Sequence, residues 1–133
     1  KGFYLLARTS NPGAADLQYL ELTNGRRLYE EVALTVTQWS SRIGLVVGAT
    51  APAELRRVRE LVPNASLLIP GVGGQGGSPE EVVQAAGGVP GTLVVSASRS
   101  IYYASDDHDA IANAGRAAEL LRDELNSAAA ALA

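Results

Sequence analysis

The sequence contains no cysteine and no methionine, and its only lysine is Lys1. Without cysteine the chain can form no disulfide framework, no thiolate metal site and no cysteine nucleophile. A reaction that needs an internal lysine cannot be completed by these residues alone. Long apolar runs are missing as well. None reaches the roughly 18 residues of a membrane span, and no basic segment followed by an apolar core opens the chain, so we expect neither a span nor a secretory signal.

The charge balance is slightly acidic, with a net charge of -3 and a pI near 5.1. The ten arginines are scattered along the chain and are not gathered on one face, which argues against a general nucleic-acid binder. We therefore expect a cytoplasmic protein that binds neither nucleic acid nor a membrane. Its 133 residues fit a single domain, since domains commonly run to about 100–150 residues.

Short apolar runs followed by helical patterns occur four times, with predicted strands at 3–7, 43–47, 67–69 and 93–95. Helices are predicted at about 26–39, 52–62, 78–86 and from about 107 onward. The residues predicted to face the core are Leu28, Val32, Val36 and Trp39 in the first helix, Leu55, Val58 and Val62 in the second, and Ile111, Ala114, Ala118, Leu121 and Leu125 in the last. Continuous apolar strands predict a parallel sheet that is buried on both faces by helices. Four such units are half of an eight-stranded barrel, so we expect partner strands in the same molecule or in another.

Two helix starts carry recognisable caps. Ser78 and Glu81 have the spacing of a capping box, and Pro79 occupies the first turn of the same helix. Thr50 is predicted to cap the helix that begins near Pro52.

A glycine-rich loop follows the third predicted strand. Residues 71–77 contain five glycines and Gln75, and the next helix opens with Ser-Pro-Glu-Glu. Glycines let successive backbone N–H groups turn toward one point, and a helix start adds its positive dipole end, so the pattern is typical of a phosphate cradle. The alternative is a tight turn without a ligand, because turns use the same residue.

Arg99 follows the fourth predicted strand within the segment Ser98-Arg99-Ser100. A guanidinium at the carboxyl end of a strand offers paired donors that suit phosphate oxygens. The glycine-rich loop and this segment could thus bind one dianion from two sides. The alternative is a surface arginine in an ordinary ion pair.

His108 and its acidic neighbours Asp106, Asp107 and Asp109 are the other candidates for chemistry. They precede the last predicted helix, where such residues are commonly solvated or cap the helix. The aspartates lack the glycine and the terminal glutamate of a calcium loop. We predict neither a metal site nor a catalytic histidine here.

Taken in order, four motifs resemble the carboxyl-terminal half of orotidine 5'-phosphate decarboxylase, in its longer bacterial subclass. They are SNPG at 10–13, GLVVGAT at 44–50 followed by Pro52, PGVGGQGG at 70–77 and SRSIY at 98–102. The resemblance implies an α/β fold, the (β/α)8 TIM barrel, of which residues 1–133 supply about four consecutive β/α units. It also implies a cofactor-independent carboxy-lyase that converts orotidine 5'-phosphate to uridine 5'-phosphate and carbon dioxide in pyrimidine biosynthesis.

The same resemblance implies roles for individual residues. Ser10 would hydrogen-bond the amide edge of the pyrimidine, and Gln75 would reach over the nucleotide to both phosphate and base. Arg99 would pair with the phosphate, together with main-chain N–H groups around Gly73, Gly74 and Ser98. Neither a metal nor an organic cofactor is implied, and a homodimer is expected for the full enzyme.

One part of the family pattern is missing from the sequence. The family uses an Asp-x-Lys-x-x-Asp array beside the reacting carboxylate, and no such array occurs here. Lys1 precedes the first strand and is a poor candidate for the proton donor, so no catalytic residue is assigned to this chain. Two alternatives stay open: a catalytically incomplete phosphate-binding half barrel, and another phosphosugar enzyme with a TIM barrel.

Overall fold

The computed structural model describes residues 1–74, 76–87, 89–106 and 108–132. Within these ranges the strands are β1 (Phe3–Arg8), β2 (Ile43–Val47), β3 (Leu67–Pro70) and β4 (Leu93–Ser96). The helices are α1 (Ala14–Gln18), α2 (Leu28–Trp39), α3 (Pro52–Leu61), α4 (Pro79–Ala86), α5 (Arg99–Tyr102) and α6 (Ala110–Ala130). The strands lie in the order β1-β2-β3-β4, each parallel to the next. The predicted alternation is confirmed, and the carboxyl ends of these strands meet at one end of the sheet.

The two faces of the sheet differ in burial. Toward the helices, residues such as Leu45 are fully buried. On the opposite face, four residues lie side by side across the strands: Leu6, Val46, Leu68 and Val94. At the two edges of this row, Leu6 is 61% exposed and Val94 is 42% exposed. The prediction of strands buried on both faces is therefore wrong for the described chain. In a (β/α)8 barrel this second face points into the barrel interior, which side chains from all eight strands fill together.

Helix α3 packs as its sequence pattern predicts. Leu55 and Val58 are fully buried, and Val62, the residue after the helix, is buried as well. Pro52 occupies the first turn, where its missing N–H costs no hydrogen bond.

Helix α2 buries a face that is rotated from the predicted one. Its buried apolar residues are Tyr29, Ala33 and Val36, whereas Trp39 is 65% exposed. Of the predicted face, only Val36 is fully buried. The helix ends at Trp39, so no following turn continues over that side chain.

Helix α6 begins at Ala110 and has no fully buried residue. Leu121 packs against the core, but Ile111 is 92% exposed, contrary to the predicted stripe. An apolar groove of about 1160 Å3 separates the helix from β4. Among the helices that the structure describes, none has the length and apolar composition that a membrane span requires.

Among the described residues, two charged side chains are buried between the helices. Glu30 of α2 accepts a hydrogen bond from Arg57 of α3 at 2.6 Å and another from the Arg27 backbone N–H at 2.8 Å. Arg59 of α3 instead donates to main-chain carbonyls and one hydroxyl around the start of β3 and β4. Both buried charges are therefore hydrogen-bonded, which burial requires.

Candidate functional site

The loop after β3 closes on itself through its own backbone. The Gly73 N–H donates to the Gly77 carbonyl at 2.9 Å, and the Gly76 N–H donates to the Gly73 carbonyl at 2.8 Å. Gly73 has φ of +73°, and a Cβ there would lie 3.2 Å from Ser100 Oγ. Glycine is therefore required where the loop approaches the segment after β4.

A pocket of about 170 Å3 lies between this loop and the end of β4. Gly74 lines it from one side, and Ser98, Arg99 and Ser100 line it from the other. A Cβ at Gly74 would lie 3.6 Å from the Arg99 Cβ, so the two segments are in contact. Helix α5 begins at Arg99, and the first N–H groups of a helix have no acceptor within it. The N–H groups at the start of α5 and a guanidinium together suit a small anion. The N–H groups of Gly73 and Gly74 instead donate to carbonyls of their own loop, so their role at a phosphate stays a prediction.

Arg99 itself is exposed at this pocket. Among the described residues, none forms an ion pair or a hydrogen bond with its guanidinium. The alternative that Arg99 belongs to an ordinary surface ion pair thus has no support in the described ranges.

Ser10 lies in the loop after β1 and rests against the end of β2. A Cβ at Gly48 would stand 2.8 Å from the Ser10 Cα, so only glycine allows this approach. The Thr50 hydroxyl donates to the Ser10 carbonyl at 3.2 Å. The prediction that Thr50 caps α3 is wrong, because the cap residue is Ala51, which makes no side-chain cap bond. The hydroxyl instead joins the β2 loop to the β1 loop.

The residue before Ser10 is bound by the last residue of α1. The Thr9 backbone N–H donates to Gln18 Oε1 at 3.0 Å, and Gln18 Nε2 donates to Thr9 Oγ1 at 3.0 Å. One amide side chain thus satisfies both a main-chain and a side-chain group of Thr9. Helix α1 was not predicted, because its five residues are too few to show a helical period.

A cluster of two arginines around one tyrosine supports the same loop. Arg8 donates to the Thr9 carbonyl and, at 3.1 Å, to the Tyr19 hydroxyl, which in turn donates to Glu54. The guanidinium carbons of Arg8 and Arg27 lie 5.1 and 4.7 Å from the Tyr19 ring centroid, within cation–π range. This cluster was not predicted, since its members come from four separate segments. The sequence gives one indication that Arg8 supports this loop, namely that Arg8 directly precedes Thr9 and Ser10.

The predicted binding residues fall into three groups. Four of them meet where the glycine-rich loop touches the end of β4: Gly73, Gly74, Ser98 and Arg99. Ser10 lies two strands from β3, or about 10 Å by the usual strand spacing. Gln75 lies outside the described residues, so its convergence with Arg99 stays a prediction.

Among the described residues that line this pocket, Arg99 is the titratable one. His108 is exposed in the turn before α6, as predicted, and Asp107 lies outside the described residues. No group of three or more histidine, aspartate or glutamate side chains that could hold a metal occurs in the described part of the chain. Lys1 precedes β1 and therefore lies at the opposite end of the sheet from the pocket.

Fold and pocket together define a class: four β/α units of a (β/α)8 barrel, with a candidate anion site at the carboxyl ends of the last two strands. The family model described as "Orotidine 5'-phosphate decarboxylase / HUMPS family" matches residues 1–114. The chain belongs to this family.

Individual relatives agree with this assignment. The orotidine 5'-phosphate decarboxylase of Aromatoleum aromaticum is 50% identical over 130 residues, which cover 95% of this chain and 48% of the relative. Among solved structures, Leishmania donovani UMP synthase matches 97% of this chain and 28% of its own with a TM-score of 0.80 and 35% identity. Leishmania donovani OMP decarboxylase matches 94% of this chain and 48% of its own, with a TM-score of 0.72 and 32% identity. The chain spans about half the length of the curated relatives that it matches.

Proposed function

We propose that this chain supplies the phosphate- and base-binding half of an orotidine 5'-phosphate decarboxylase. The observation that carries the proposal is the 170 Å3 pocket between the glycine-rich loop and Arg99, in a chain of this family. Arg99 and the start of α5 border this pocket, and a guanidinium and unpaired main-chain N–H groups are groups that bind a phosphate dianion.

The positions of the loops suit a nucleotide that lies across the carboxyl ends of the strands. Arg99 and the main-chain N–H groups around Ser98 would bind the 5'-phosphate at the end of β3 and β4. Gly73 and Gly74 would shape this site by their close approach to it, because their own N–H groups donate to carbonyls of the same loop. Ser10, two strands away, would hydrogen-bond the pyrimidine, and Gln75 would bridge phosphate and base. The neutral hydroxyl and amide can both donate and accept, as recognition of a ring edge requires.

The reaction breaks the bond between the carboxylate and its ring carbon. Carbon dioxide leaves, the electron pair stays on the ring carbon, and a proton then adds there. Because the charge in the transition state is localised on an sp2 carbon, catalysis needs interactions that are stronger in the transition state than in the bound substrate. Binding of the remote phosphate can stabilise the closed enzyme and so place the reacting end correctly.

The proton donor and the charged groups beside the carboxylate would come from strands beyond the four described. Lys1 lies at the wrong end of β1 for this role. The exposed layer that contains Leu6 and Val94 supports the same proposal, since further barrel strands would cover it. A cytoplasmic location, expected from the composition, and a homodimeric full enzyme, implied by the family resemblance, belong to this proposal.

Replacement of Arg99 by alanine in the complete enzyme tests the assignment. The loss of one charge-assisted contact of about 1.5–3 kcal/mol should lower kcat/KM by about 10- to 150-fold. Turnover is followed by the change in ultraviolet absorbance of orotidine 5'-phosphate. Arg42→Ala is the matched control, because Arg42 is exposed just before β2, at the other end of the sheet. Kinetics of Arg99→Ala equal to those of the parent would overturn the proposal.

The position of the single lysine favours one alternative, a catalytically incomplete phosphate-binding half barrel. An assay of the 133-residue chain alone distinguishes this alternative from a chain that is catalytically complete by itself. Binding of uridine 5'-phosphate without turnover would show that these residues only bind, whereas turnover by the chain alone would contradict the missing proton donor. Failure of the complete enzyme to convert orotidine 5'-phosphate would favour a different phosphosugar barrel enzyme.

A further inference from the structure

We infer that Gln18 is a positioning residue for the pyrimidine, acting through Thr9 to fix the orientation of Ser10. The inference rests on the proposed base-binding role of Ser10. Gln18 was not among the residues predicted from the sequence, and it lies at the end of α1, eight residues beyond Ser10.

The contact between Gln18 and Thr9 has two points. The Gln18 amide oxygen accepts from the Thr9 backbone N–H, and the amide nitrogen donates to the Thr9 hydroxyl, both at 3.0 Å and both partly buried. Two bonds from one planar group fix both the main chain of Thr9 and the rotamer of its side chain. A single contact would leave one of these free to turn.

Ser10 is the next residue, and its backbone is held on its other side as well. Its carbonyl accepts from Thr50, and its Cα lies against Gly48. Within the described ranges, the Ser10 hydroxyl has no hydrogen-bond partner of its own. The direction of this hydroxyl therefore depends on the backbone, and Gln18 provides the anchor on the amino-terminal side.

A purely structural role would also use these two bonds, since they close the loop between β1 and α1. The two roles differ in what a variant should lose. If Gln18 only stabilises the loop, its removal should weaken every ligand or lower stability alone. If it positions Ser10, the loss should be confined to ligands that carry the base, and it should vanish once the Ser10 hydroxyl is gone.

The experiment is a double-mutant cycle in the complete enzyme, read by titration calorimetry with uridine 5'-phosphate and with ribose 5-phosphate. Gln18→Ala should lower the affinity for uridine 5'-phosphate by about 5- to 10-fold, which corresponds to the loss of one hydrogen bond. The affinity for ribose 5-phosphate should stay unchanged. In the Ser10→Ala background the same substitution should add less than about twofold. Gln84→Ala is the control, because Gln84 is an exposed glutamine of α4 bonded to Glu80 at 3.4 Å; it should match the parent.

Two further variants keep the test decisive if Gln18→Ala does not fold. Thr9→Val replaces the hydroxyl with a methyl group, which cannot accept from Gln18, and should weaken the uridine 5'-phosphate affinity selectively. Gln18→Glu should restore near-parental affinity, because the Thr9 hydroxyl can donate to a carboxylate.

Three results would overturn the positioning role: parental affinity in Gln18→Ala and Thr9→Val, equal weakening of both ligands, or a full additional loss in the Ser10→Ala background. A parent enzyme that binds uridine 5'-phosphate no better than ribose 5-phosphate would instead overturn the proposed base contact of Ser10, and the positioning role with it.

Discussion

Replacement of Arg59 by methionine tests how much the hydrogen bonds of this side chain stabilise the fold. These bonds connect the helices to the amino-terminal ends of β3 and β4. Arg59 is 7% exposed. It donates to the carbonyls of Ala86, Pro63 and Ala65 at 2.9, 3.0 and 2.8 Å, and to the Thr92 hydroxyl at 3.3 Å. One side chain thus binds the end of α4, the loop before β3 and the residue before β4. Burial lowers the pKa of Arg59 from its ordinary value, yet an arginine remains charged.

The expected loss follows from these four bonds. Each contributes about 1 kcal/mol net, and removing the buried charge offsets part of the total, which leaves a loss of about 3 kcal/mol. Urea unfolding of the complete protein, followed by circular dichroism, measures this loss. Arg59→Lys should lose nearly as much, because one ammonium cannot reach acceptors on three segments.

Arg56→Met is the matched control on the same helix. Arg56 is exposed, and among the described residues it has no hydrogen-bond or ion-pair partner. Its replacement should change the free energy of unfolding by less than about 0.5 kcal/mol. An Arg59→Met protein that loses no more than this control would refute the reasoning.

Two more predictions concern single residues, Glu30 and Gly73. Burial alone would raise the pKa of Glu30, but hydrogen bonds from Arg57 and from the Arg27 backbone outweigh it and hold the pKa below 4.5. The stabilisation by the ionised Glu30 is present above pH 4.5 and is lost as the pH falls through the lowered pKa. Glu30→Gln should therefore reduce the dependence of the free energy of unfolding on pH in acid. Glu60→Gln is the control, because Glu60 is the exposed partner of the same Arg57, and it should leave this pH dependence unchanged. Gly73→Ala should lower the free energy of unfolding by about 1–3 kcal/mol through its positive φ and weaken uridine 5'-phosphate binding. Gly115→Ala in α6, where a Cβ meets nothing within 4 Å, should be neutral or stabilising; equal effects of the two alanines would contradict the argument.

The strands and their order along the chain could be predicted because a continuous apolar run is a local signal. The start of α4 was predictable for the same reason: Ser78 accepts from the Glu81 N–H, as the capping-box spacing indicates. Loop positions at the carboxyl ends then followed from the parallel sheet, which placed Arg99 beside the glycine-rich loop.

Other features depend on contacts between distant segments, which a local pattern does not encode. Periodicity shows that Ile111 and Leu121 share a face of α6, but it does not show how much of that face another element covers. Thr50 has the sequence context of a cap, yet its hydroxyl finds an acceptor forty residues away at Ser10. The pairing of Gln18 with Thr9 likewise depends on a short helix that has no periodic signal.

The central claim is that Arg99 binds the phosphate of a nucleotide. It is tested most directly by comparing uridine 5'-phosphate with uridine, which lacks the phosphate, as ligands of the complete enzyme and of its Arg99→Ala variant. We predict that the variant weakens uridine 5'-phosphate by about 10- to 150-fold, the range for a hydrogen bond to a charged group, and leaves the affinity for uridine unchanged. Equal losses for the two ligands, or no loss for the nucleotide, would contradict the claim.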